Sequence, residues 1–123
     1  MAKYVLFDTE TTGNKDDDRI IQIGAMIVDA KQPVEVHDEL CSSEVEIKLE
    51  AMEVHNITPD KLVGKPKATE TNIYKRMEEL NSTENFLIAH NISFDLGMME
   101  KEGFLNQYKT IDTLRCAKHL FPD

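Results

Sequence analysis

The chain predicts an α/β fold with five strands, on three observations. Residues 3–7, Lys-Tyr-Val-Leu-Phe, form a short apolar run that passes directly into Asp8-Thr9-Glu10-Thr11-Thr12-Gly13. Two more strand-like runs follow with brief polar interruptions, the pattern of an antiparallel meander. From residue 58 onward, helical patterns alternate with short apolar runs, which is how strand–helix–strand units read. The resulting order is β-β-β-α-β-α-β-α.

The elements follow in order. The apolar run at 3–7 is of the kind expected for a strand buried on both faces. Residues 13–18 make a polar, acidic loop. Residues 19–29 read as a long strand, Gln32-Pro33 as a turn, and residues 34–41 as a third strand. Thr58-Pro59 starts a helix, with threonine as cap and proline at the first helical position. A longer helix over 68–80 carries Ile73, Met77 and Leu80 at helical spacing, with charges opposite. Residues 81–85 break it, and 86–89 form a strand. A helix over 93–102 ends at Gly103. A short strand over 109–111 follows, then a helix capped by Asp112 and stopped by Pro122. No repeat, low-complexity segment or linker divides residues 1–123, so a single domain is expected.

Side chains two apart on a strand point the same way, so Asp8 and Glu10 converge. Two carboxylates on one face repel unless a cation lies between them, and hard oxygen ligands suit Mg²⁺ or Mn²⁺. The plainer alternative is a polar turn closing a strand. A second feature is Leu87-Ile88-Ala89-His90-Asn91-Ile92-Ser93-Phe94-Asp95, a strand that runs through a turn into a helix. Asp95 falls in that helix's first turn, where the dipole favours an acidic group; the plainer alternative is that Asp95 only complements the dipole and Asn91 only caps the helix.

Asp-Thr-Glu-Thr-Thr-Gly followed about eighty residues later by His-Asn-Ile-Ser-Phe-Asp resembles the first two motifs of the DEDD 3′–5′ exonucleases. Within them it is nearest to the proofreading epsilon subunit of bacterial DNA polymerase III and its relatives. Val54-His55-Asn56-Ile57-Thr58-Pro59 is similar to their His-Gly-Ile-Thr element, with Asn56 in place of glycine, and Thr110-Ile111-Asp112-Thr113-Leu114 is similar to the strand end after the second motif. The resemblance covers essentially the whole chain. It implies a ribonuclease H-like fold: a mixed five-stranded sheet, first strand central, helices on both faces. It implies two-metal phosphodiester hydrolysis at a DNA 3′ end, with Mg²⁺ or Mn²⁺ held by Asp8, Glu10 and Asp95. Backbone groups around Thr11 and Thr12, and the side chains of His55 and Asn91, are carried over as contacts to the terminal nucleotide. Single-stranded or frayed DNA is the implied partner, with a polymerase subunit as a further one. An RNA-directed relative and a non-catalytic nucleic-acid- or polymerase-binding module are the alternatives.

In the histidine-containing branch of that family, a third motif, His-x-x-x-x-Asp, supplies a general base and a fourth carboxylate. The chain reaches Phe121-Pro122-Asp123 without it, so an exonuclease domain incomplete at its C-terminus, with little activity, is expected. Three pairs imitate the motif's spacing. His55 and Asp60 precede the second motif and are interrupted by Pro59. His90 and Asp95 are the second motif itself. Tyr108 and Asp112 fit a tyrosine variant but straddle a strand.

Composition sets the remaining bounds. At 41% hydrophobic and 30% charged residues the chain is an ordinary globular one rather than a disordered one. No apolar window of membrane-spanning length and no secretion leader is read, and Cys41 and Cys116 are expected to be reduced core residues, so a cytoplasmic protein is expected. A net charge of −9 argues against tight binding of long duplex, which needs a basic surface, and fits an enzyme that grips a few terminal nucleotides. Asp16-Asp17-Asp18 reads as a solvated loop, and Met98, Met99 and Phe104 as core. His37 and His119 are assigned no chemistry.

Overall fold

The computed structural model describes residues 2–120. Its sheet has the order β3-β2-β1-β4-β5, where β1 is Tyr4–Thr11, β2 Ile20–Asp29, β3 Gln32–Leu40, β4 Phe86–Ala89 and β5 Lys109–Asp112. The first strand is central. It runs antiparallel to β2, with Leu6 opposite Met26 and Asp8 opposite Gly24, and parallel to β4, with Leu6 opposite Ile88. β5 extends the parallel half, and β3 closes the meander.

Alternation along β1 decides what each face does. Val5, Phe7, Thr9 and Thr11 are buried, together with Ile23, Ala25 and Ile27 of β2 and Leu87 and Ala89 of β4. Against them pack α2 (Asn72–Glu79), through Ile73, Tyr74 and Met77, and α3 (Ile92–Lys101), through Ile92, Met98 and Met99, with Phe104 and Tyr108 completing the core. The other face is open among the described residues: Tyr4 and Leu6 are 40% exposed and Met26 43%. The run at 3–7 is therefore buried on one face, not two. Its continuous apolar character misled because Tyr4 and Leu6 are large hydrophobes on the open side.

Several elements differ from expectation at their ends. The β2–β3 turn falls at residues 30–31, and Pro33 sits inside β3, where an edge strand tolerates it. The helix expected over 68–80 is two pieces: a 3₁₀ turn at Ala68–Glu70, then α2. Thr71, extended at ψ 152°, separates them, and its hydroxyl accepts from the Tyr74 N–H at 3.2 Å. Pro59–Leu62 is likewise a 3₁₀ turn. Helix α1, Leu49–His55, was not expected; it is short, buries no residue fully and has no side-chain cap. It rests beside a smaller apolar cluster of Ile21, Ile47, Ile57 and Leu62. Asp112 caps α4 (Thr113–Leu120) as expected, accepting from the Leu114 N–H at 3.0 Å, while Pro122 lies outside the described residues. Tyr108 donates its buried hydroxyl to the Met77 carbonyl at 2.6 Å, which makes it a core residue. Cys41 is buried, whereas Cys116 is exposed rather than in the core. No helix among the described residues is long and apolar enough to cross a membrane.

Strand β3 holds α2 through charge. The Glu39 carboxylate accepts from the backbone N–H groups of Asn72 (3.1 Å) and Ile73 (2.6 Å), capping the positive end of the helix. Glu35 pairs with Arg76 further along, at 2.8 Å. Replacing Glu39 with alanine is expected to lower unfolding stability by about 1–2 kcal/mol without changing the m-value, as measured by urea denaturation.

Candidate active site

Asp8 and Glu10 leave the central strand on its open face, near its C-terminal end. The register with β2 slips between Glu10 and Thr11, a bulge of the kind that re-aims side chains at functional sites. Burial raises the Glu10 carboxyl above its ordinary value and the neighbouring Asp8 raises it further, against a smaller opposing effect of His55. Asp95 enters from the first turn of α3 and is 4% exposed. Its carboxylate accepts a 2.5 Å hydrogen bond from the Thr9 hydroxyl. Burial pushes the Asp95 carboxyl up to about 6; the Thr9 bonds oppose this, and the charges of Asp8 and Glu10 add to it.

The loop after β1 is anchored by a residue that sequence reasoning placed in solvent. Asp16 and Asp17 are exposed, but Asp18 is fully buried. Its carboxylate accepts from the Thr12 hydroxyl (2.7 Å), the Lys15 N–H (2.9 Å) and Lys48 Nζ (2.8 Å). Burial alone would raise its carboxyl, but the bonds from Lys48, Lys15 and Thr12 outweigh that and hold it down at about 2. Gly13 is required by this packing: a Cβ there would lie 2.4 Å from Asp18 Oδ2 and 2.9 Å from Lys48 Cγ. The only hint in the sequence is that Asp18 is the last of three aspartates, immediately before a strand.

The remaining expected site residues have distinct placements. Thr12 is buried and engaged: its N–H donates to the Arg19 carbonyl, its hydroxyl serves Asp18 and its carbonyl accepts from the Lys48 N–H. It buttresses the strand end and offers no free hydroxyl to a ligand. His55 closes α1 against β1. Its Nδ1 accepts from the Ile57 N–H at 2.9 Å, so Nε2 carries the proton and donates to the Thr11 carbonyl at 3.1 Å. Asn56 follows in the left-handed region at φ 58°, which explains how asparagine stands where glycine is usual. Asn91 is also left-handed, at φ 69°, and makes no side-chain cap; its N–H donates to Asp112 Oδ1 at 3.0 Å, tying the start of α3 to β5.

Glu10 and His55 stand between two recesses. One lies on the open sheet face, lined by Leu6, Asp8, Gln22, Met26 and His90. The other lies between the end of β1 and α1, lined by Thr9, Thr11, Lys48, Val54 and Phe94. Phe94 and Val54 stand inside the motif segments of the sequence but carry no role of their own there, and no sequence signal marks Lys48. The donor set of Asp8, Glu10 and Asp95 is chemically suited to a hard divalent cation, since such an ion would offset both the burial and the smaller mutual repulsion that raise Glu10 and Asp95. In the arrangement described, no three His, Cys, Asp or Glu groups among the described residues converge as a ready cage.

Several known proteins resemble this chain in sequence and fold. The exonuclease family model RNase_T matches residues 5–123. A DNA polymerase III PolC-type protein of Clostridium perfringens is 33% identical over 127 residues, covering 98% of this chain and 8% of its own length. A DNA polymerase III subunit epsilon of Treponema pallidum is 34% identical over 126 residues, covering 97% and 57%. The chain thus spans only part of these relatives. Among solved structures, Exonuclease X in complex with 5′ overhanging duplex DNA superposes with a TM-score of 0.71 at 26% identity, covering 97% of this chain and 64% of that one. The fold is the ribonuclease H-like one that the sequence resemblance implied.

Two measurements test the electrostatics and the packing. Because the folded-state carboxyl of Asp95 lies near 6 against an ordinary 3.8, its contribution to stability is full below about pH 4 and is lost as pH rises through about 6. Asp95→Asn is therefore expected to stabilise the metal-free protein at pH 7 by about 1–3 kcal/mol and to flatten its stability between pH 5 and 7. Asp18 works in the opposite sense: its contribution is present above about pH 4 and lost as pH falls through about 2. Gly13→Ala should cost about 1–3 kcal/mol in a thermal or urea melt, from overpacking against Asp18.

Proposed function

The chain belongs to the RNase_T exonuclease family, and from that membership we propose that it removes nucleotides from the 3′ end of DNA by metal-dependent phosphodiester hydrolysis. The observation that carries the reading is the placement of Asp8 and Glu10 on one face of the central strand, with Asp95 close enough to feel both charges. A structural carboxylate cluster would gain nothing from mutual repulsion. A cation site would. Two divalent cations of the Mg²⁺ or Mn²⁺ type, held by Asp8, Glu10 and Asp95, would supply charge neutralisation at the phosphate and a more acidic water.

The chain's own groups have defined parts in this reading. The terminal nucleotide sits beside Glu10, with Thr11, His55 and Asn91 as its contacts and Phe94 and Val54 as apolar walls of the neighbouring recess. Thr12 acts one step removed, by holding the strand end through Asp18. His55 is committed at both ring nitrogens, so it serves as a wall and a strut rather than as the proton acceptor. Water adds to phosphorus, the bond to the 3′ oxygen of the preceding nucleotide breaks, and a nucleoside monophosphate leaves with a new 3′ hydroxyl behind it. The net charge of −9 supports weak intrinsic grip on nucleic acid and delivery of the 3′ end by a partner. The epsilon-subunit relative points to a polymerase as that partner.

Mn²⁺ is expected to raise the melting temperature, and 5′-labelled single-stranded DNA is expected to shorten stepwise, at a low rate, from its 3′ end. Asp8→Ala should remove both effects, with a fall in rate of about 10²-fold or more. Cleavage that survives Asp8→Ala, or a melting temperature indifferent to Mn²⁺, would overturn the reading. Faster cleavage of RNA of equal length would move the substrate to RNA.

A further inference from the structure

Thr9 lies between the two strand carboxylates in sequence but points to the opposite, buried face of β1, with 6% exposure. Its hydroxyl is the donor to Asp95 Oδ1 at 2.5 Å, across 86 residues of chain. Both partners are buried, so solvent does not compete for the bond. We propose that Thr9 is a positioning residue for the cation site: its hydroxyl fixes the plane of the Asp95 carboxylate relative to Asp8 and Glu10. The inference rests on the metal-site reading above and adds a residue to it.

Three physical features support the assignment. Threonine is β-branched and stiff about χ1, so its hydroxyl direction is set once the strand is formed. Because Thr9 shares its backbone with both Asp8 and Glu10, a displacement of those two ligands carries the Asp95 clamp with it. One tripeptide then supplies two ligands and orients a third. The bond also engages Oδ1, so the carboxylate does not rotate freely. Groups that orient ligands in this way typically change metal affinity by about 10–100-fold when removed. The bland alternative is a threonine that merely satisfies a buried carboxylate; it predicts altered folding stability with unaltered cation affinity.

The test measures Mn²⁺ affinity by titration calorimetry on the folded full chain, with melting in EDTA as the control for folding. Thr9→Val keeps the shape and removes the hydroxyl, Thr9→Ala removes it without any steric demand, and Thr9→Ser restores it. Val and Ala are expected to weaken Mn²⁺ binding by about tenfold or more, and Ser to stay within about threefold of the parent. If either folded hydroxyl-free variant binds Mn²⁺ as the parent does while Asp95→Asn weakens it, the positioning role is overturned and the metal site stands. If Asp95→Asn also leaves Mn²⁺ affinity unchanged, the metal-site reading itself falls, and this inference with it.

Discussion

The two-residue repeat of β1 is the constraint on which the rest depends. Val5, Phe7, Thr9 and Thr11 must enter the core, and the same geometry sends Asp8 and Glu10 to the open face. A slip of one residue would bury both carboxylates and expose the core set, so the apolar positions specify the register that makes the site possible. The carboxylates stand on the central strand, which pairs with β4 from Tyr4 to Leu6 and with β2 along the stretch that carries Asp8 and Glu10, and a paired strand gives them stiff support. The cost is concentrated charge. Glu10 and Asp95 are both raised above their ordinary values, chiefly by burial, with the charge of Asp8 adding to both and that of Glu10 adding to Asp95.

The opposite electrostatic solution occurs six residues past Glu10's neighbour Thr12. Asp18, like Asp95, is shielded from solvent, yet it is held ionised, because a lysine, a backbone N–H and a hydroxyl converge on it. Burial raises both groups; the partners decide the outcome. Asp18 uses its charge to close the loop after β1, whereas Asp95 keeps an unfavourable charge near two others. That contrast separates a carboxylate fully paired within the fold from one left near two other carboxylates, even though each is an aspartate in a protein of strongly acidic composition.

Much of this could be read from the chain. Strong apolar runs, the cap and proline at Thr58-Pro59, Gly103 after α3 and Asp112 before α4 located most elements within a few residues, since each is a local signal. The carboxylate pair was legible because period two is unavoidable in a strand. Helix α1 was missed because it has no polar cap and no fully buried residue, so neither of the usual signals exists. Asp18 was missed because its partners Lys15, Thr12 and Lys48 come together only after folding. Thr9 was read as part of a motif, yet its hydrogen bond to Asp95 spans 86 residues and has no signature in local sequence. The open face of the sheet was hidden for another reason: Tyr4, Leu6 and Met26 are apolar whether covered or not.

Helix α3 is tied to the same strand and loop at both ends. At its start Asp95 meets Thr9; at its finish Lys101 Nζ donates to the carbonyls of Lys15 and Asp18, Arg19 donates to the Lys101 carbonyl, and Arg19 pairs with Glu102 at 2.9 Å. In mechanical terms the helix is a closed brace rather than a cantilever, and its distance from the carboxylate strand is set by the contour length of residues 9–19. Length variation is therefore unequally distributed over the surface. The β2–β3 turn at residues 30–31 and the break at 81–85 can grow or shrink without altering that brace, whereas one added residue between Gly13 and Asp18 would change the span that the brace closes.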